Sequence, residues 1–396
     1  MIPVTRPYLP ARARLERYLD SIYNSHCLTN NGPLTQQLGE RLAEYLDVEH
    51  LLLVGNGTLA LQIAYRALGV SGPTAEEGWN AVTTPFSFVA TTSSLKWDGG
   101  KPAFADIDPD TWCVDAHRVV EAISPCSRAL VPVHVFGNAC NVEHLEAIAA
   151  RNGLPVIYDG AHAFGVRYKG KSLLRRGDAT TLSFHATKIF HCIEGGAIIF
   201  RCREDLETAR LMTQFGTLQR DRIDAVGINA KLNEFQAAMG LCILDEIDTV
   251  LTQRADIWER YRTQLTDWVR LQVWNPKATQ NHAYFPIVFE SEAVLLQVLT
   301  ALGARGIEAR RYFYPSLDDV ACLSPAQVHH KGKQQSNAQS LASRILCLPI
   351  YPGLTSQQVD VICETVKESL GHVGIAFGMP GCTKGEDQCR TKPSPN

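Results

Sequence analysis

The chain is expected to fold as an α/β protein, with a large domain on a mostly parallel sheet and a smaller α+β domain after it. Three observations predict this. From about residue 36 to residue 200, short apolar runs alternate with amphipathic stretches long enough for helical crossovers, the pattern of a parallel sheet covered on both faces. The run "RALVPVHVF" is apolar almost throughout, as a strand buried on both sides must be. A chain of 396 residues, 45% hydrophobic and 20% charged, is an ordinary globular composition at a length that suits two domains.

Residues 1–35 read as an N-terminal arm, and the large domain is set at 36–250. "LTQQLGERLAEYLDV" carries Leu38, Leu42 and Tyr45 at helical spacing; "HLLLVGNG" reads as a strand, and "TLALQIAYRALGV" as a helix stopped at Gly69. "WNAVTTP" is a strand, "SFVATTSSLKWDGG" a helix ending in glycine, and "KPAFADID" a strand. Helix "DAHRVVEAI", strand "RALVPVHVF", helix "VEHLEAIAARNG" and strand "LPVIYDG" follow, and "EGGAIIFR" is a further strand. "KLNEFQAAMGLCILDEIDTVLTQRADIWERYRTQL" reads as one long amphipathic helix bridging the domains. Residues 251–371 alternate less regularly and form the small domain. Residues 372–396, ending "MPGCTKGEDQCRTKPSPN", are expected to be a disordered tail.

Composition narrows the function classes. Lys+Arg at 38 nearly balance Asp+Glu at 41, with no basic block, so no nucleic-acid partner is expected. "MIPVTRPYLP" has no apolar core of a signal peptide, and no apolar run reaches the roughly 18 residues of a membrane span. A cytoplasmic location and no membrane partner are the expectation. The twelve cysteines are scattered without a CxxC pair and read as free thiols. "ADIDPDTWCVD" resembles a calcium loop, but its sixth position is Thr111 and its twelfth His117, so it reads as a turn. His185, His191 and Cys192 lie on one loop with no second cluster at ligand spacing, and no metal is expected.

Lys188, within "SFHATKIFHCIEGGAIIF", sits among Phe184, Ile189 and Phe190. A buried ammonium is costly unless it is paired or neutral, and a desolvated lysine attacks carbonyls well. "VGNGTLA" fits G-x-G-x-x-A, a dinucleotide fingerprint, but the second strand ends in Thr83 and Thr84 rather than the acidic residue that would hold a ribose. What survives is a helix opened by Gly55, Gly57 and Thr58, whose N–H groups can take a phosphate. Asp159 closes a buried strand at its carboxyl end, where open parallel sheets bind ligands. With Ser183 close to the lysine, the set is an amine, a carboxylate and a phosphate cradle. Pyridoxal 5'-phosphate requires these groups: the lysine to hold its aldehyde, the carboxylate to keep its ring nitrogen protonated. A nicotinamide oxidoreductase and a non-catalytic cofactor-binding sensor remain as alternatives.

The stretches "LTNNGPLTQQLGERLAEYL", "NGTLALQ", "TTPFSFVAT", "KPAFADIDPDTW", "VIYDGAHAFG", "GDATTLSFHATK", "EGGAI", "KLNEFQAAMGL" and "RILCLPIYPGL" together resemble the DegT/DnrJ/StrS nucleotide-sugar aminotransferases. The likeness runs over nearly the whole chain apart from the tail, and it implies the type I, aspartate-aminotransferase-like fold. It implies that Lys188 is the Schiff-base lysine and Asp159 the partner of the pyridine nitrogen. Phe88 would stack on the cofactor, and Gly57, Thr58 and Ser183 would contact its phosphate. His162 stands where the family more often has glutamine and would lie near the phenolic oxygen. Asn229 would reach the phosphate from a second subunit, which implies a homodimer with shared active sites. "SFHATK" followed by "EGG" looks more like branches that aminate C4 of a 4-keto-6-deoxy sugar, with L-glutamate as donor and dTDP-4-keto-6-deoxyglucose as acceptor. The product, dTDP-4-amino-4,6-dideoxyglucose, would feed cell-surface polysaccharide such as lipopolysaccharide O-antigen. His185, Arg311 and Tyr314 would line the sugar-nucleotide side. UDP and GDP sugars, amination at C3, and a sensor role stay open, while a lysine at 188 speaks against the family's dehydratase branch, which has histidine there.

Overall fold

The apolar runs become the strands of one central sheet. The computed structural model describes residues 1–72, 78–219, 222–323 and 335–371. In chain order the first strands are β1 (Leu51–Val54), β2 (Asn80–Thr83), β3 (Lys101–Phe104), β4 (Ser127–Val131) and β5 (Ile157–Asp159). A short hairpin, β6 (Arg167–Tyr168) and β7 (Lys171–Ser172), precedes β8 (Ala179–Ser183) and β9 (Gly196–Phe200). The sheet runs β3-β2-β4-β5-β8-β9-β1, with β4 joined to β5 through the parallel bridges Leu130↔Val156 and Val133↔Asp159. Pairs β2–β3, β2–β4 and β5–β8 are parallel; β9 is antiparallel to both β8 and β1. The reversal has a local cause. No crossover helix separates β8 from β9, and without one the chain can only return antiparallel.

Strand alternation splits the side chains between two cores. Ala81, Ala129, Val131, Ile157 and Ile198 join one core with helices α3 (Gly57–Ala67), α4 (Val89–Trp97) and α7 (Arg203–Met212). Their neighbours Val82, Leu130, Tyr158 and Ile199 face the other, with α1 (Arg12–Ser25), α2 (Pro33–Tyr45), α5 (Ala116–Ala122) and α6 (Val142–Asn152). The first 35 residues, expected to be an arm, thus carry a helix, α1, which packs on the α8 described next.

The single bridging helix expected after residue 231 is two helices, α8 (Glu234–Asp245) and α9 (Ile247–Leu265), meeting at Glu246 with φ −117° and ψ 9°. Nor is α8 amphipathic: every residue from Ala237 to Leu244 is buried. It starts from a capping box of Asn233 and Gln236. Downstream of the break, Ile257, Tyr261 and Leu265 of α9 enter a further core with α10 (Glu292–Ala304), α12 (Ser356–Gly371) and the antiparallel strands β12 (Phe285–Val288) and β13 (Ile345–Leu348). A hairpin of β10 (Thr217–Gln219) and β11 (Arg222–Ile223) and helix α11 (Asn337–Arg344) complete the described elements. The expected tail, 372–396, lies outside the described residues. Among them, no helix is long and apolar enough to cross a membrane.

Candidate active site

Strands β5 and β8 end side by side at Asp159 and Ser183, and helix α3 begins directly against them. Asn56 caps α3, its Oδ1 accepting from the Leu59 N–H at 2.8 Å. The next position has to be glycine: a Cβ on Gly57 would stand 2.9 Å from Ser183 Cβ. Gly196 is as tightly placed, with its would-be Cβ 2.7 Å from the Asn56 carbonyl. The start of α3 is thereby pressed onto the strand ends, its free N–H groups opening on a cavity of about 360 Å³ that Gly57, Thr58 and Ser183 line.

Asp159 forms another wall of that cavity and is fixed in place. Its Oδ1 accepts from the Ala161 N–H at 3.0 Å and its Oδ2 from the Thr91 hydroxyl at 2.7 Å. Since Thr91 has one proton and spends it on Asp159, Ser87 is the donor across the 2.8 Å Ser87–Thr91 contact. Lys188 is held by a tight turn, its N–H donating to the His185 carbonyl at 2.9 Å. Its amine donates to the Tyr284 hydroxyl at 3.3 Å. Burial lowers its pKa from 10.5 to about 8, and the nearby Asp159 and Tyr312 oppose that fall. At pH 7 the amine is therefore still mostly charged, with about a tenth of it neutral.

His162 also lines the cavity. Its Nδ1 accepts from the Phe136 N–H at 3.2 Å. Burial first, and the Lys188 charge second, hold its pKa well below the usual histidine range. A neutral ring whose Nδ1 accepts must carry its proton on Nε2, so His162 is a hydrogen-bond donor toward the cavity. Phe88 precedes α4 and lies on the rim with 55% of its surface exposed. His185, also on the rim, has Nε2 3.6 Å from the Glu194 carboxylate.

Arg311 and Tyr314 lie away from this cavity, as does Asn229, which is expected to serve a second subunit's site. Asn229 is exposed and pairs its backbone with Gln214. Arg311 is bound elsewhere, 2.6 Å from the Glu292 carboxylate and donating to the Ser343 carbonyl at 3.1 Å. Tyr314 lies under that guanidinium, ring centroid to carbon 3.5 Å. Their neighbours Arg310 and Tyr312 line the cavity instead, together with Tyr284. The Arg310 backbone pairs antiparallel with Cys347. Phe313 lines the cavity too, and the Tyr312 N–H donates back to the Arg310 carbonyl at 3.1 Å, so the chain turns here instead of running on as a strand. The stretch "EARRYFYPSL" carried no signal that separates these residues from Arg311 and Tyr314. Tyr284, Ser87 and Thr91 carried none beyond their neighbourhood.

The remaining candidates have plain duties. His191 donates from Nε2 to the Tyr8 carbonyl at 2.8 Å, since its Nδ1 accepts from the Ile193 N–H. Asp108 closes its turn by accepting from the Asp110 and Thr111 N–H groups. Among the described residues, no group of three His, Cys, Asp or Glu side chains is placed to hold a metal ion.

These groups fit pyridoxal 5'-phosphate on structural grounds. The helix start that no side chain may fill suits a phosphate, a buried carboxylate held by two donors suits a protonated ring nitrogen, and an amine of lowered pKa suits an aldehyde. Comparison with known proteins agrees. The model of the DegT/DnrJ/EryC1/StrS aminotransferase family matches residues 11–367. A dTDP-4-amino-4,6-dideoxy-D-glucose transaminase from Shigella dysenteriae is 41% identical over 370 residues, covering 92% of this chain and 98% of its own. One of the same description from Escherichia coli is 36% identical over 375 residues, covering 93% and 98%. The crystal structure of DesI in the presence of its TDP-sugar product superposes with a TM-score of 0.84 at 31% identity, over 93% of this chain and 92% of that one.

Proposed function

The chain belongs to the DegT/DnrJ/EryC1/StrS aminotransferase family, with pyridoxal 5'-phosphate as cofactor, and from that premise we propose that it moves the amino group of L-glutamate to C4 of dTDP-4-keto-6-deoxyglucose. The products are 2-oxoglutarate and dTDP-4-amino-4,6-dideoxyglucose. One observation carries the reading: the Lys188 amine, the Asp159 carboxylate and the N-terminus of α3 open on a single cavity.

When bound, the cofactor supplies an electrophilic carbonyl carbon and a conjugated ring that accepts electron density from the carbon losing its proton. The protein's own groups do the rest. Gly57, Thr58 and Ser183 receive the phosphate at the positive end of α3. Asp159, oriented by Thr91 and Ala161, stands as anionic acceptor for the ring N–H. Phe88 supplies an aromatic face at the rim, and the Nε2–H of His162 a donor for an anionic oxygen. Lys188 Nζ would take the proton from the donor's α-carbon and give it up at the cofactor's former carbonyl carbon, while Tyr284 holds the amine between the two acts. The sugar nucleotide's remote contacts position its keto carbon.

A homodimer is part of the proposal. Asn229 is exposed and does not line its own cavity, and it lies near the exposed apolar residues Phe215, Ile223, Val226 and Ile228, as a group offered to a second subunit would. A cytoplasmic enzyme serving surface-polysaccharide assembly fits an activated-sugar substrate.

The visible spectrum of the purified protein, taken before and after addition of L-glutamate, tests the core of this. A yellow band that fades with L-glutamate, and that Lys188→Ala lacks, is expected. Absence of any band after reconstitution with the cofactor would overturn the reading. Turnover of dTDP, UDP and GDP keto sugars, with the product's amine located by NMR, then fixes the nucleotide and the carbon.

A further inference from the structure

Four charged side chains line the cavity: Asp159, Lys188, Glu194 and Arg310. The first two have their tasks, and Glu194 faces His185. Arg310 forms no ion pair with a described carboxylate, in contrast to Arg311, which Glu292 occupies. Its backbone is nonetheless fixed from both sides, donating to the Cys347 carbonyl at 3.1 Å and accepting from the Cys347 N–H at 2.8 Å. The guanidinium carbon lies 5.1 Å from the centroid of the Tyr312 ring, a contact that orients its plane. The Tyr312 ring is in turn 5.8 Å from that of Tyr284, whose hydroxyl holds the Lys188 amine. A permanent, solvent-reachable cation is thus linked to the reacting amine through two ring contacts.

A cation without a partner at a cavity mouth is a place for a ligand's anion. Both substrates of the proposed reaction bring anions, at different distances from the chemistry. In the amino donor a carboxylate is bonded to the very carbon that Lys188 deprotonates. In the sugar nucleotide the diphosphate is separated from C4 by the sugar ring. The connection of Arg310 to Lys188 through Tyr312 and Tyr284 favours the nearer anion. We propose that Arg310 is the carboxylate anchor for the amino donor, its guanidinium taking the carboxylate in a paired hydrogen bond while Tyr312 holds its plane. The assignment rests on the reading of L-glutamate as donor.

The two half-reactions separate the possibilities. Holoenzyme is mixed rapidly with L-glutamate and fading of the band is followed against donor concentration; donor-treated enzyme is then mixed with the dTDP keto sugar. For Arg310→Ala the donor concentration giving half-maximal rate is expected to rise about tenfold or more. The limiting rate should change little, and the sugar half-reaction should move at least several-fold less than the donor one. Arg310→Lys should recover part of the loss, and band intensity before mixing shows that each variant still folds and holds the cofactor. An effect confined to the sugar half-reaction would assign the guanidinium to the diphosphate and overturn the proposal, as would equal effects on both halves or none. Wild-type enzyme that ignores L-glutamate would instead indict the underlying reading.

Discussion

Lys188 sets a cost as well as a function. With its pKa brought from 10.5 to about 8, the charged amine works against the folded state by about 3 kcal/mol wherever both folded and unfolded chains are protonated, that is below pH 8. The cost fades as pH rises from 8 to 10.5, so cofactor-free protein should gain stability across that window. Lys188→Met should raise the cofactor-free protein's stability at pH 7 by about 2–3 kcal/mol, read from urea unfolding, while abolishing turnover. An unchanged or lower stability would show that the amine is not desolvated. Uptake of the aldehyde requires the neutral amine, so its rate in cofactor-free protein should climb with pH and level off above about 8. The Asp159 charge favours the ammonium; Asp159→Asn should therefore move the midpoint to lower pH, and a midpoint that stays put would separate the two side chains electrostatically. Asp159 and Gly57 were legible in the sequence because each stands where a regular element ends or begins, and Lys188 because a charge inside an apolar run stands out. Arg310 and Tyr312 were not, since "EARRYFYPSL" carries no hydrophobic period, and adjacent residues there part ways, Arg310 to the cavity and Arg311 to Glu292.

Helix α2 shows how far an element can depend on another. Its N-cap position is Gly32, which offers no side chain, and a Cβ there would lie 2.6 Å from the Glu234 carboxyl carbon. The cap comes from α8: buried Glu234 accepts from the Leu34 N–H at 2.8 Å, the Thr35 N–H at 2.9 Å and the Thr35 hydroxyl at 2.5 Å. A carboxylate also suits the positive end of the helix. Glu234→Ala should cost about 2–3 kcal/mol, seen as a lower urea midpoint at unchanged slope, and Glu234→Gln should cost less. Equal midpoints for Ala and wild type would mean that water caps α2 as well. The break between α8 and α9 was hidden for a related reason. No glycine or proline interrupts "LCILDEIDTVLTQ". The turn at Glu246 is imposed by packing, as a segment buried on every side gives way to one with a single apolar stripe.

At the scale of the whole molecule, the sheet joins distant parts of the chain: β1 is closed by β9 from well over a hundred residues downstream, and that pairing seats α3 on Ser183. The fold class was legible because parallel strands and their crossovers write themselves as alternation; the antiparallel return of β9 shows only as the lack of a helix between β8 and β9, a subtler sign than the alternation itself. The proposed dimer belongs to this scale too. Ile223 is 77% exposed and Val226 69%. Replacing both by aspartate should leave each fold intact, turn the species seen in sedimentation into a monomer, and weaken cofactor retention. A variant that stays dimeric with full cofactor would remove this face from the interface and Asn229 from the neighbouring site. The cavity carries one more consequence. One wall of it comes from residues 56 to 194, and its other wall from residues 284 to 313. Apart from Tyr284, the proposed chemistry and the proposed donor anchor are thus written in separate passages of the gene. A single crossover between them could hand an inherited catalyst a new clientele, with no intermediate generation in which the catalyst itself is broken.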